Sequence, residues 1–472
     1  MVLSRFWLAI FISSIAFVVF SLFSGGNYTI DHVLNGKKDD PILISEKYIE
    51  QVPTFVKDSI KNAPEQTMIV NRDTINADTT YVYQNKTVKI YSGVQKSDGL
   101  LPTCKNTLVD LILPLIAYLA FFCGLMELLI ISGATEKLAK VLSPVFVKVF
   151  PSIPKNHPSI SYMTLNFAAN FLGLDSAATP FGLKAMESLQ SINPDKEKAT
   201  NAQIMFLVLH TSGLTLIPLT IISYRLAAGS TEAASVFIPC VLATICTTLA
   251  SIFIVGLKQK LKWDKVLLTW LLGLVVLVAG MLFFVQQMNA EQKEIFSRVT
   301  GNMILLLLVV LIIVGGMLKK INVFDAFIDG AKGGFDVILK IIPYLVGMLV
   351  AIRVFRDSGA LGYMVDGLSW VIGLTGVDTA FTPALPVAIM KPFSGSGARG
   401  LMIDVMKSNG PDSFVGKLAS TFQGSADTTF YIIALYFGSV GIQKVRYAIW
   451  AGVLADLIGV VAAILIGYVF FS

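Results

Sequence analysis

Two stretches of the chain place charge and hydroxyls inside strongly apolar surroundings: FLGLDSAATPFGLKAM, residues 171–186, and KPFSGSGARGLMIDVM, residues 391–406. Ionisable groups in such settings are costly and by default face a protein interior or an aqueous cavity, which makes solute or ion binding the chemistry to expect. In and before the first stretch stand Asn166, Asn170, Asp175, Ser176 and Thr179; in the second, Lys391, Ser394, Ser396 and Arg399. Asn166 and Asn170, four apart, share a helix face and offer amide donors and acceptors to a polar ligand. Each stretch is followed by a similar polar phrase. HTSGLT at 210–215 aligns without gaps to QGSADT at 423–428, pairing His210 with Gln423, Ser212 with Ser425 and Thr215 with Thr428, while Asp427 adds a carboxylate. One such phrase alone would read equally as a Ser/Thr-rich helix interface; two, each beside a broken stretch, favour a shared central solute-binding site.

Bland roles exist for several of these charges. Lys184 could reach the membrane interface by extending its stem, Asp404 could pair with Arg399, and Asp175 could cap a half-helix running from Ala177 to Met186. A structural role is the alternative for Asp427 as well. Arg225 and Arg446, near the ends of apolar runs, suit interfacial anchoring. Glu127 is expected to serve as a proton or cation site or to pair with a neighbouring base, and Asp456, surrounded by apolar sequence, is divided between function and a structural ion pair.

Enzyme chemistry finds little support. GSGARG at 395–400 satisfies GxGxxG, but that fingerprint carries weight only between a strand and a helix of a soluble βαβ unit. The histidines, His32, His157 and His210, form no ligand pair, so zinc catalysis and a resident metal are not expected. No GxxxxGK[ST] is present to make ATP the direct energy source. The chain is therefore expected to be neither an enzyme nor cofactor-dependent, with Na+ or H+ as candidate coupling ions.

The elements that must position these residues follow from composition. With 54% hydrophobic residues, 14% charged residues and a mean hydropathy of +0.71, 472 residues are too apolar for an ordinary soluble domain, and an all-α polytopic membrane protein is expected. The net charge of +6 belongs to lysine clusters beside spans, a topology signal rather than a nucleic-acid surface. The cysteines, Cys104, Cys123, Cys240 and Cys246, form no motif. Residues 1–23 read as a retained anchor helix rather than a cleaved signal, and 24–107 as an extramembrane insert in which TTYVYQNKTVKIYSG forms a hairpin turning about Gln84, Asn85 and Lys86. Later apolar runs are 108–131, 203–228, 235–257, 266–288, 301–318, 338–356, 417–440 and 445–471. Lys258, Lys260, Lys262 and Lys265 mark a cytoplasmic loop. Counting from it puts the N-terminus, Lys137, Lys140, Lys148, Lys155, Lys319 and Lys320 inside and residues 24–107 outside the cell's inner membrane.

The two halves repeat one order of parts. A span with Pro114 or Pro343, an amphipathic stretch, a hairpin of roughly 158–190 or 380–410, and two full spans follow one another in each. An odd number of crossings between the copies makes the repeat inverted, and hairpins too short for two spans are read as re-entrant from opposite faces. Their half-helix N-termini would favour an anionic or hydrogen-bond-accepting group. Domains are accordingly 1–23, 24–107, a first repeat at 108–257, linking helices at 258–337 and a second repeat at 338–472.

NFAANFLGLDSAATPFGLKAM with HTSGLTLIPLTIISYR resembles spore maturation protein A. IPYLVGMLVAIRVFRDSGAL, MKPFSGSGARG, GPDSFVGKLASTFQGSADTTFYIIALYFGSVGI and KVRYAIWAGVLADL resemble spore maturation protein B. The chain looks like a fusion of the two, outside the 24–107 insert. Both fall in the nucleoside-recognition or Gate family, which also includes concentrative nucleoside transporters and the membrane part of ferrous iron transporters. The resemblance implies a Gate-type membrane protein linked to late sporulation, binding or moving a nucleoside-like or ionic solute between two hairpins. The family usually has Asn at Ser176 and a small residue at Asp175, and often Arg at Lys391 and Asn at His210; these departures fall on the candidate site, so the resemblance does not carry a ligand over. Expected partners are the lipid bilayer, a small polar solute and further copies of the chain in a homo-oligomer. The alternative is a non-transporting envelope scaffold acting through the insert.

Overall fold

The computed structural model describes residues 2–24, 34, 43–44, 71–72, 79–84, 89–94, 100–154, 156–358 and 360–471; for the strands and for residues 2–7, 21–24, 102, 110, 175–177, 290, 336–338, 340, 341, 344 and 357 it describes the backbone alone. Helix α1 (Val2–Ser24) precedes a small antiparallel sheet of β1 (Leu43–Ile44), β2 (Asn71–Arg72), β3 (Thr79–Gln84) and β4 (Lys89–Val94), in the order β1-β4-β3-β2. The expected hairpin is present, with Gln84 opposite Lys89 and Thr79 opposite Val94. Gln84, expected in the turn, instead ends β3, and the other expected turn residues, Asn85 and Lys86, lie outside the described residues.

The rest is helical. Helix α2 (Leu100–Asn106) runs through a π-helical turn at Thr107–Ile112 into α3 (Leu113–Ile131), and α4 (Ala134–Val149) is the first amphipathic stretch. Two short helices, α5 (Pro158–Phe171) and α6 (Asp175–Ser191), form the first hairpin. It begins where Pro158 follows the His157 cap, and it turns at Gly173, whose φ of +75° favours a residue without a side chain. Helix α6 starts at Asp175, with Leu174 in the cap position, rather than at the Ala177 expected from sequence.

The run 203–228 does not form one span. It is divided into α7 (Asn201–Thr211) and α8 (Leu219–Ala227), and HTSGLT, expected to open a span, lies at the break between them. Gly213, with φ of +59°, and Pro218 account for the interruption: one favours the left-handed region and the other has no N–H to donate. Then follow α9 (Phe237–Gln259), α10 (Lys265–Gln286), α11 (Ala290–Leu318), the 35-residue α12 (Val323–Asp357) and the amphipathic α13 (Ala360–Gly373). The second hairpin is α14 (Leu385–Met390), reached through a 3-10 turn at Thr382–Ala384, and α15 (Gly395–Asn409). The run 417–440 is broken in its turn into α16 (Phe414–Gly424) and α17 (Thr429–Ser439), with QGSADT at the break. Helix α18 (Ala448–Phe471) ends the bundle.

Among the described residues five helical stretches are long and apolar enough to cross a membrane: Thr103–Ile131, Ala233–Gln259, Lys265–Gln286, Glu291–Leu318 and Ala448–Phe471. The protein is therefore a multi-pass helical membrane protein. α10 and α11 turn most of their apolar surface outward, while α9 is mostly enclosed.

The halves interlock at both ends. At one end, Ala199 N–H donates to Lys444 O at 3.1 Å, and the amides of Gln443 and Lys444 donate to Glu197 O at 2.9 Å. There too Gln259 donates to Asn201 O, and Lys148 pairs with Asp264 at 2.5 Å. At the far end of α8 the loop after it meets the loop after α15. Arg225, fully buried, donates to Asp412 at 2.8 Å, Pro411 O at 2.7 Å and Ala233 O at 3.1 Å. Interfacial anchoring, expected for Arg225, is overturned: its guanidinium reaches inward to bind carbonyls of both loops. Arg446 likewise binds Ala199 O and the Asn201 side chain.

Candidate functional site

The two helix breaks meet. Asp427 N–H, in the second break, donates to Thr211 O at the end of α7 at 2.8 Å. Gly213 permits this approach: a Cβ there would stand 3.0 Å from Asp427 N. Each break is also tied to the turn of its own hairpin. Leu216 N–H donates to Phe171 O at 2.7 Å, and Phe430 N–H donates to Pro392 O at 3.0 Å. Gly173 is needed at the first of these junctions, since a Cβ would lie 2.5 Å from Ile217 O.

The gapless pairing of the phrases holds at the level of single bonds. Ser212 and Ser425 each terminate a half-helix, and each hydroxyl donates to the carbonyl three residues back, Leu209 O at 2.6 Å and Phe422 O at 2.9 Å. Both also meet α9. Ser212 Oγ lies 2.9 Å from Thr248 Oγ1, and Thr247 Oγ1 donates to Ser425 O at 2.9 Å. Thr247 and Thr248 were missed in sequence; adjacent hydroxyls in the middle of an apolar run were the signal.

Around the first break the polar side chains are buried and joined to one another. His210 Nδ1 is 2.9 Å from Asn166 Oδ1 and 3.0 Å from Asn170 Nδ2, and Asn166 Nδ2 donates to Ala178 O at 2.7 Å. One ring nitrogen serves only one amide at a time, as an N–H toward Asn166 or as a lone pair toward Asn170. The choice sets the opposite nitrogen, which faces the Tyr436 hydroxyl at 3.4 Å and Asp427 Oδ2 at 3.9 Å. Tyr436 stands edge-on to His210 and stacks on Phe206; nothing in the spacing of α17 marked it. Thr215 turns back to Gly213 O at 2.8 Å, and Thr179 is half-buried on α6. The side chains of Asp175 and Ser176 lie outside the described residues.

Around the second break the balance differs. Lys391 is buried and donates to Gln423 O at 2.7 Å. Ser394 caps α15 through Gly397 N–H at 3.0 Å and lies 3.2 Å from Ser396 Oγ. Gln423 Nε2 makes a long 3.5 Å bond to Gly395 O, while its buried Oε1 has no partner. Thr428 is buried against Gly395, and its N–H donates to Asp427 Oδ1 at 2.7 Å. Asp456 reaches in from α18: Thr429 Oγ1 donates to its Oδ2 at 2.6 Å, and its Oδ1 is buried without a partner. Arg399 is not at this cluster. It donates to Tyr224 OH at 3.2 Å and lies over that ring. The expected pairing of Asp404 with Arg399 is also overturned, because Arg356 of α12 binds Asp404; five residues of separation set Arg399 and Asp404 on different sides of α15. Lys184 is exposed.

The breaks thus bring together Asn166, Asn170, His210, Ser212, Lys391, Gln423, Ser425, Asp427 and Thr428, with Tyr436, Asp456, Thr247, Thr248 and Thr429 added by the structure. Among the described residues no three His, Cys, Asp or Glu side chains cluster as metal ligands would. Such an arrangement can accept and donate hydrogen bonds to a polar molecule, with a buried cation beside unpartnered acceptors.

Comparison with known proteins agrees with this layout. A family model for Gate, described as nucleoside recognition, matches residues 112–231 and 338–443, which take in both hairpins and both breaks. Spore maturation protein B of Bacillus subtilis (strain 168) is 48% identical over 151 residues, 32% of this chain and 83% of that protein. The chain belongs to the Gate family. Spore maturation protein A of the same organism is 39% identical over 140 residues, 30% of this chain and 71% of that protein. No solved structure matches the chain. The Gate matches leave out α1, the insert, α2, α9 to the start of α12, and α18, so the matched part holds both hairpin-and-break units but not Thr247, Thr248 or Asp456.

Proposed function

We propose that this Gate protein binds, and transports, a small polar solute at a midplane site between two re-entrant hairpins of an inverted repeat. The observation that carries the reading is the meeting of the two interrupted helices at the Asp427–Thr211 bond. Broken backbone at membrane depth is tolerated where it is buried in protein or lines a cavity, and paired breaks are the hallmark of transporter sites. Equivalent serines, equivalent hairpin-to-break bonds and interlocking at opposite ends support inversion of the two copies.

The orientation follows from charge. The loops joined through Lys444–Ala199, Gln259–Asn201 and Lys148–Asp264 gather Lys148, Lys196, Lys198, Lys258, Lys260, Lys262, Lys265, Lys444 and Arg446 at one end. By the positive-inside rule this supports a cytoplasmic assignment for that end, with the N-terminus inside and the insert outside, as expected of a protein of the inner membrane. The family description and the amide, hydroxyl and carboxyl groups at the breaks suit a nucleoside-like solute, with Na+ or H+ as coupling ion.

The test is ligand-dependent thermal stabilisation of the purified protein against nucleosides, amino acids, organic anions and metal ions, followed by uptake in proteoliposomes. Stabilisation by one class that Ser212→Ala and Ser425→Ala both weaken is expected. No response to any class, together with capture of an envelope protein that depends on residues 24–107, would replace the transporter with a scaffold.

A further inference from the structure

Away from the breaks, a groove of about 510 Å³ opens between the end of α3, the start of α4 and α11. Its walls include Leu129, Leu308 and Ile312, and its open side carries Leu311 and Leu318, 60% and 80% exposed. At one end the lining changes character, to Ser132, Lys137 and Lys319. Both lysines are exposed and both belong to the clusters that the topology proposed above puts at the cytoplasmic face.

We propose that this groove holds an anionic phospholipid of the cytoplasmic leaflet, with an acyl chain along the leucine and isoleucine wall and the phosphate between Lys137 and Lys319. The occupant follows from the chemistry of the lining. A long apolar trough open toward the hydrocarbon matches an acyl chain, and two cations at its interfacial end match a lipid phosphate, as basic pockets between helices do. The first turn of α4 adds free amides at the same place, since Gly133 caps it with no side chain. Glu136 in that turn is an opposing charge, and the two lysines outnumber it.

The groove also touches the functional half of the molecule. Ile217 lines it, and Ile217 O is the atom packed against Gly173 at the first hairpin turn. A bound chain therefore props the junction between hairpin and break from behind.

The experiment uses the full chain in detergent, titrated with phosphatidylglycerol or phosphatidylcholine in mixed micelles while thermal unfolding is followed. Phosphatidylglycerol should raise the unfolding temperature well beyond phosphatidylcholine. Lys137→Gln with Lys319→Gln should weaken its apparent affinity roughly 30-fold, about one factor per lysine of the size found for basic residues at anionic membranes. Leu311→Trp, which fills the trough and leaves the lysines in place, should remove the difference between the lipids. Equal effects of the two lipids, or an unchanged preference in both variants, would overturn the site. Inorganic phosphate giving the same shift would make it a free-anion site, and a loss of oligomer mass in Leu311→Trp would make the occupant a second copy. Solute-dependent stabilisation, read in the same variants, stands or falls separately.

Discussion

At the first break the side chains of Asn166, Asn170 and His210 lie within hydrogen-bonding distance of one another, and each of their buried polar atoms has a protein group in reach. At the second break Lys391 is held by a carbonyl, while Gln423 Oε1 and Asp456 Oδ1 are buried with none. Leaving a buried acceptor unpaired costs about 1–3 kcal/mol, so such groups persist where something else completes them. The contrast assigns different work to equivalent positions: the first half provides a closed framework, and the second offers the open hydrogen-bonding capacity.

The largest effect should come from comparing the interlocks at the two ends. Arg225→Met removes a fully buried guanidinium and leaves several carbonyls unpaired, while the partly exposed Asp412 keeps its bonds from Ser230 and Thr231; it should cost about 2–4 kcal/mol, whereas Arg446→Met, at the more exposed end, should cost about 1 kcal/mol. Thermal unfolding of the two variants in detergent measures the difference, and equal losses would remove the asymmetry.

Next come the equivalent positions His210 and Gln423. His210→Phe removes the ring nitrogen that the Asn166 and Asn170 side chains share, leaves one of those amide groups without its partner and should destabilise by about 1–3 kcal/mol. Gln423→Leu removes an unpartnered acceptor and one long bond, so stability should hardly change while solute-dependent stabilisation falls. A Gln423→Leu variant that unfolds as readily as His210→Phe would break the distinction between framework and open site.

Acid probes the Arg225 end directly. Burial alone would raise the Asp412 carboxyl, but hydrogen bonds from Ser230 and Thr231 and the Arg225 charge hold it below the usual carboxylate range. A depressed folded value contributes stability that is present above the unfolded value near 3.9 and is lost as pH falls through the folded one. Unfolding temperature should therefore drop below about pH 4, and Asp412→Asn should flatten that part of the profile. A profile unchanged by the substitution would release Asp412 from this role.

The smallest effect concerns the serines. Ser212→Ala and Ser425→Ala each remove a hydroxyl bonded within its own half-helix and should cost about 1 kcal/mol or less. A thermal double-mutant cycle should find them close to additive, because they meet α9 at different threonines.

Sequence made the hairpins and phrases legible because Gly, Pro and Ser interrupt apolar runs there, and interruption is a local property. It misplaced the breaks within the spans, since hydropathy averaged across Gly213 and Pro218 still reads as one continuous run. The partners of charges were the least visible. Arg225 finds Asp412 and Arg356 finds Asp404 across long separations, and neither choice leaves a trace in local spacing. Tyr436 was hidden for a related reason: it looks like any aromatic in an apolar helix until the fold stands it beside His210.

The clasp formed by Arg225 has a consequence for how the protein is made. Its carboxylate partner is 187 residues further along the chain. At ordinary synthesis rates of about 5–20 residues per second, the guanidinium waits roughly 10–40 s for Asp412 to leave the ribosome. Throughout that interval the first half has a cation and several main-chain groups without their final partners in a newly inserting protein. Slowing translation between the two halves lengthens that interval and should lower the yield of folded protein.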